Sequence, residues 1–182
     1  MTDKLKMAAI GDSITYGYPF GPDFSWLNFV EGRQRWTLIN RGICGDTTEG
    51  MLKRFSNDVI AVKPDYTFIL GGTNDVCTGV SAGSILKNIA EMIKLAVAAD
   101  IKPVIGIPIP CVNPAEESIL QSYRLKLYEY IRTTGIVFID FYTVFQAHAA
   151  RHSQWELYVD ELHPSKAGYR LMGKAAGRFF DE

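Results

Sequence analysis

Short, near-continuous apolar runs alternate along the chain with longer stretches in which apolar residues recur every three or four positions. The runs occupy residues 7–10, 36–39, 66–70, 104–109 and 136–139. Apolar runs without polar alternation predict strands buried on both faces, the mark of a parallel sheet. Between them, Ile85, Ile89, Met92, Ile93 and Ala96 share one helical stripe, and Ile119, Tyr123, Leu127 and Ile131 share another. Asn113 is placed to cap the second of these helices, with Pro114 at its first position and Glu116 at the capping-box spacing. A further helix is expected over residues 51–62, stopping before Pro64. A last one is expected from 164 to about 180, turning Ala167, Leu171, Ala175 and Phe179 toward the sheet.

Strand and helix alternating five times with right-handed crossovers predict an α/β fold. It is a three-layer doubly wound domain whose five-stranded parallel sheet has the flavodoxin-like order 2-1-3-4-5. No linker or repeat interrupts it, so residues 1–182 read as one domain. In this order the switch point lies at the carboxyl ends of the first and third strands, where open α/β sheets bind ligands.

Composition narrows the partners. The 182 residues carry 19 Lys+Arg against 20 Asp+Glu with no basic run, which argues against nucleic acid and for a small-molecule substrate. Cys44, Cys77 and Cys111 have neither C-x-x-C nor zinc-ligand spacing, so no disulfide framework and no metal are expected. The polar N-terminus and the absence of a span-length apolar stretch lead to an expected cytoplasmic protein without integral membrane association. The oligomeric state is not encoded in any of these features.

The first run ends in Ile10-Gly11-Asp12-Ser13, a serine where a buried strand surfaces at the switch point. A hydroxyl is a weak nucleophile at its own pKa and needs a base, a group that orients the base, and donors for an oxyanion. The third run leads into Gly72-Thr73-Asn74-Asp75, which brings the Asn74 amide opposite Ser13. The second leads into Asn40-Arg41-Gly42-Ile43-Cys44-Gly45, where Gly45 can present its N–H at close range, beside the N–H of Ser13 itself.

Of three histidines, His148 and His152 lie in a polar stretch that reads as a solvated helix face. His163 stands in Asp160-Glu161-Leu162-His163-Pro164, with Pro164 expected at the first position of the last helix. Asp160 can then fold back over one turn to hold the imidazole. Asp12 and Asp75 are expected to brace loops rather than react.

The chain resembles the SGNH hydrolases, the GDSL esterases and lipases, in four ordered blocks. These are Gly11-Asp12-Ser13-Ile14-Thr15, Asn40-x-Gly42-x-x-Gly45, Gly72-x-Asn74-Asp75 and Asp160-x-x-His163-Pro164. The resemblance implies a serine esterase or acylhydrolase that works without a cofactor through an acyl-enzyme. Ser13 would be the nucleophile, His163 the base, Asp160 its orienter, and Ser13, Gly45 and Asn74 the oxyanion hole.

Tyr16, Tyr18, Phe20 and Trp26, with Pro108 and Ile109 from the fourth run, are expected to include the walls of a pocket. Without a lid-length insertion the cleft is expected to be open and suited to short acyl groups. A lysophospholipid, a thioester and an O-acetylated sugar stay open as the ester. A catalytically silent binding module on the same fold stays open as the rival class. A dinucleotide site is disfavoured by the lack of G-x-G-x-x-G, and a Mg²⁺-dependent aspartyl phosphotransferase by Ile14 two residues after Asp12.

Overall fold

Strand β1 spans Leu5–Gly11, β2 Trp36–Gly42, β3 Tyr66–Leu70, β4 Lys102–Ile107 and β5 Val137–Asp140. In the computed structural model, which describes residues 4–181, they pair in parallel in the order β2-β1-β3-β4-β5. Gly11 registers with Gly42 on one side and Leu70 on the other. β1 and its two neighbours, the edge strand β2 and β3, therefore end level, and the chains leaving them rise side by side. β4 stops before the expected 109 because Pro108 has no N–H to continue the ladder.

The strands alternate their side chains between two cores. Ala8, Ile10, Ile69, Ile105 and Ile107 face α2 (Thr48–Asp58), α4 (Ala82–Ala98) and α5 (Pro114–Thr134). Met7, Ala9, Phe68, Leu70 and Val104 face α6 (Phe141–Ala149) and α7 (Lys166–Asp181), together with a chain of 3-10 turns between residues 22 and 35. Two shorter helices, α1 (Ser13–Tyr16) and α3 (Thr73–Cys77), start where β1 and β3 end.

Several helix details depart from the sequence pattern. On α5, Ile119 is 41% exposed and Leu120 takes its place beside Tyr123, Leu127 and Ile131. Asn113 caps α5 by accepting from the Ala115 and Glu116 N–H groups, but Glu116 closes no capping box because its carboxylate accepts from Cys111 Sγ. The helix expected at 51–62 begins earlier, at Thr48, and gives way to a 3-10 turn at Ile60–Val62.

Pro164 does not open the last helix. It forms a β-bridge with Tyr158, and α7 begins at Lys166. Its inner face is Tyr169, Met172, Ala176 and Phe180, all fully buried, while Ala167 is exposed and Leu171, Ala175 and Phe179 are half-buried. Glycine accounts for the shift. A Cβ at Gly173 would lie 2.5 Å from Phe29 Cβ and 2.6 Å from its carbonyl carbon, so α7 packs through a residue that carries no hydrophobic signal.

Candidate active site

Ser13 is the first residue of α1, and the preceding Asp12 is its cap, accepting from the Ile14 N–H at 2.9 Å. The turn is held from β2, where Asn40 Nδ2 donates to the Thr15 carbonyl at 2.9 Å. Gly42 permits this contact, because a Cβ there would lie 2.2 Å from the Tyr16 backbone nitrogen. The turn thus presents Ser13 Oγ at 3.0 Å from His163 Nε2.

His163 is fixed from its other side. Its Nδ1 lies 2.8 Å from Asp160 Oδ2, and the backbone N–H groups of His163 and Leu162 donate to Asp160 Oδ1 at 2.6 and 2.8 Å. Burial alone would raise the Asp160 pKa, but these hydrogen bonds outweigh it and hold the carboxyl below its ordinary value. An anionic Asp160 selects the tautomer with hydrogen on Nδ1, leaving the Nε2 lone pair for the serine proton.

Across Ser13, the loop after β2 carries Gly45 at φ +78°, a left-handed conformation that glycine adopts at no steric cost. Asn74, the second residue of α3, donates through Nδ2 to the Asp46 carbonyl at 2.8 Å, so the amide is oriented beside Gly45 and keeps a second hydrogen. Among the described residues, no protein acceptor takes the N–H of Ser13 or Gly45. Asp75 braces the same wall, accepting from the Thr48 N–H at 2.9 Å and from the Thr48 hydroxyl.

Two supports carried no readable signal in the chain. Arg54 on α2 donates to Gly11 O (2.9 Å), Arg41 O (2.9 Å), Asp46 Oδ2 (2.7 Å) and Asp58 Oδ2 (2.6 Å). It therefore ties the strand end before Ser13 to the loop that holds Gly45. Buried Arg124 pairs with Glu117 and donates to Ile109 O, and Glu117 accepts from the Cys111 N–H at 2.8 Å. The loop they brace carries the Asp160–His163 segment through Val112 N–H to Glu161 O and Tyr158 hydroxyl to Pro110 O.

Asp12 is buried, and burial pushes its pKa up to about 7, against the favourable Ile14 N–H bond and with repulsion from Asp75 and Asp46 added. The thiols are not activated. Burial raises Cys44, and it pushes Cys77 to about 11 and Cys111 to about 12, with Glu116 adding to both of the latter.

The expected pocket walls divide. Tyr18 lies beside the site, 42% exposed, its ring centroid 4.5 Å from that of His163. Phe20 and Tyr16 are half-buried. Trp26 is not a wall: it is fully buried between Phe68 and Phe141. Ile109, 2% exposed, and Pro108 are likewise interior. Apolar run-ends beside a switch point pack into the core as readily as into a cleft. His148 lies on α6 and stacks on His152, with Nε2 3.2 Å from Glu156. Grooves of about 530 and 540 Å³ open between α6 and α7 and between α4 and α5, and Ser13, His163 and Asn74 line neither.

The model of the GDSL-like lipase/acylhydrolase family matches residues 9–171. An uncharacterized lipoprotein of Bacillus subtilis, YqeF, is 34% identical over 122 residues, 59% of this chain and 49% of that protein. An arylesterase of Vibrio mimicus is 34% identical over 95 residues, 50% of this chain and 48% of that protein. The chain thus spans about half the length of these curated relatives. A solved structure assigned to the lipolytic G-D-S-L family, from Desulfitobacterium hafniense DCB-2, superposes with a TM-score of 0.87 at 29% identity, covering 96% of this chain and 99% of that one.

Proposed function

The chain belongs to the GDSL-like lipase/acylhydrolase family, and from that premise we propose that it is a serine esterase acting on small carboxylic esters with short acyl groups. The observation that carries this reading is the continuous relay from Ser13 Oγ to His163 Nε2 at 3.0 Å and from His163 Nδ1 to Asp160 Oδ2 at 2.8 Å.

Ser13 Oγ attacks the ester carbonyl as His163 Nε2 takes its proton. The carbonyl oxygen, now anionic, lies against the N–H groups of Ser13 and Gly45 and the second amide hydrogen of Asn74. His163 returns the proton to the departing alkoxide, leaving an acyl group on Ser13. Water, deprotonated by the same imidazole, then attacks the acyl-enzyme, and the carboxylic acid departs. Asp160 holds Nδ1–H throughout and stabilises the imidazolium.

The acyl preference is supported by where the apolar residues lie. Trp26, Pro108 and Ile109 are interior, so of the expected walls only Tyr18 and the half-buried Tyr16 and Phe20 keep surface for an acyl group. The name of the Vibrio relative, an arylesterase, accords with an aromatic mouth.

Ser13→Ala tests the reading. It retains the fold, loses esterase activity by at least about 10³ and no longer reacts with a fluorophosphonate probe. Turnover near that of the unmodified protein contradicts it.

A further inference from the structure

We propose that Lys166, held over Phe20 and Phe24 on the His163 side of the site, selects esters whose leaving alcohol carries a fixed negative charge. The inference rests on the serine-esterase reading and names the substrate class. His163 must protonate the leaving oxygen, so the alcohol departs on the imidazole side while the carbonyl oxygen faces the Gly45 and Asn74 loops.

Beside the Asp160 carboxylate, which is committed to His163 Nδ1, the imidazole side carries aromatic rings and a cation. The Tyr18 ring lies 4.5 Å from His163, centroid to centroid, and its carbonyl is fixed by the Tyr169 hydroxyl at 2.7 Å. Two residues on, Phe20 meets Phe24 at 5.7 Å. Lys166 Nζ sits 4.4 Å from the Phe24 ring centroid and 5.2 Å from that of Phe20. The rings hold the ammonium by cation–π attraction and leave its outer hydrogens to solvent.

Two further observations make the placement purposeful. No ion pair engages Lys166 among the described residues. It is also the first residue of α7, whose first turn contains no acid, so a cation occupies the positive end of a helix, where dipole and charge repel. Local rules broken in this way concentrate at functional sites. An anionic group on the leaving alcohol would relieve that repulsion while a planar alcohol rests on the half-exposed Tyr18 ring. Carboxylate and phosphate share the required chemistry.

The test compares 4-acetoxybenzoate and 4-acetoxyphenyl phosphate with neutral 4-acetoxybenzamide, each kcat/KM normalised to alkaline hydrolysis of the same ester. The expected result is an anionic-to-neutral ratio that falls about fivefold in Lys166→Ala and further in Lys166→Glu, persists in Lys166→Arg and shrinks in high salt. Which of the two anions shows the larger fall identifies its preferred form. Lys166 is exposed, and thermal melts verify that each variant is folded. Ratios unchanged in folded Lys166→Ala and Lys166→Glu overturn the proposal while leaving the esterase reading intact. Failure of the unmodified protein to hydrolyse any of the three, with no fluorophosphonate labelling, overturns both.

Discussion

Asn74 commits one amide hydrogen to the Asp46 carbonyl and keeps the other, which in the proposed mechanism meets the charge that develops on the carbonyl oxygen. Asn74→Ala is expected to lower kcat by about 10²–10³ with a smaller change in KM. Steady-state kinetics on one ester decide the matter, and a pure KM effect would make the amide a ground-state contact. Asp12, one residue before the nucleophile, has a stability signature of its own. Its folded pKa is raised to about 7, whereas in an unfolded chain it titrates near about 3.9. Between those values the native state holds one proton more than the unfolded chain, so the Asp12 contribution to stability falls as pH rises, and the penalty is complete above about 7. Asp12→Asn keeps an acceptor for the Ile14 N–H and removes the charge. Its stability relative to the unmodified protein should increase by about 1–3 kcal/mol from pH 5 to pH 8 in denaturant titrations, and parallel curves would refute the assignment.

At the scale of elements, the site is a meeting of strand ends that depends on Arg54. From one turn of α2 this side chain reaches the carbonyl of Gly11 and the carboxylate of Asp46, with only 16% of its own surface exposed. Arg54→Gln should cost about 2–4 kcal/mol and lower kcat more than KM, because both the serine turn and the Gly45 loop lose their common anchor. Unfolding curves and kinetics that match the unmodified protein would show that the loops hold themselves. No run or motif announces such a residue: its partners lie 43 residues upstream at Gly11 and 8 upstream at Asp46, and an arginine in an amphipathic helix reads as solvated. The strands and the four polar blocks were legible because each is local: an apolar run, a glycine-bearing loop at the end of β1, β2 or β3, or the short Asp160–Pro164 string. The inner face of α7 was not, since Gly168 and Gly173 contribute close approach rather than hydrophobicity. Nor was the fate of Trp26, where the choice between cleft and core is made by Phe68 and Phe141 from distant strands and helices.

For the molecule as a whole, the α/β sheet gathers Ser13, Gly45 and Asn74 in the segments that follow three neighbouring strands. Buried apolar clusters lie on both faces of the sheet, and no described helix is long and apolar enough to cross a membrane. In a panel of p-nitrophenyl esters, kcat/KM is expected to peak between about C2 and C6 and to fall more than about tenfold by C12, because methylenes left in water add none of the about 0.8 kcal/mol that burial gives each. A maximum at long chains would require an apolar channel beside Ser13. The most direct measurement is rapid acid quench during turnover of p-nitrophenyl acetate, followed by mass spectrometry of the peptides. The predicted result is a burst approaching one p-nitrophenol per chain, with the matching acetyl group on Ser13 and its disappearance in Ser13→Ala. Sustained product formation with no acyl group on Ser13, or with the acyl group on another residue, would contradict the assignment of Ser13 as the nucleophile.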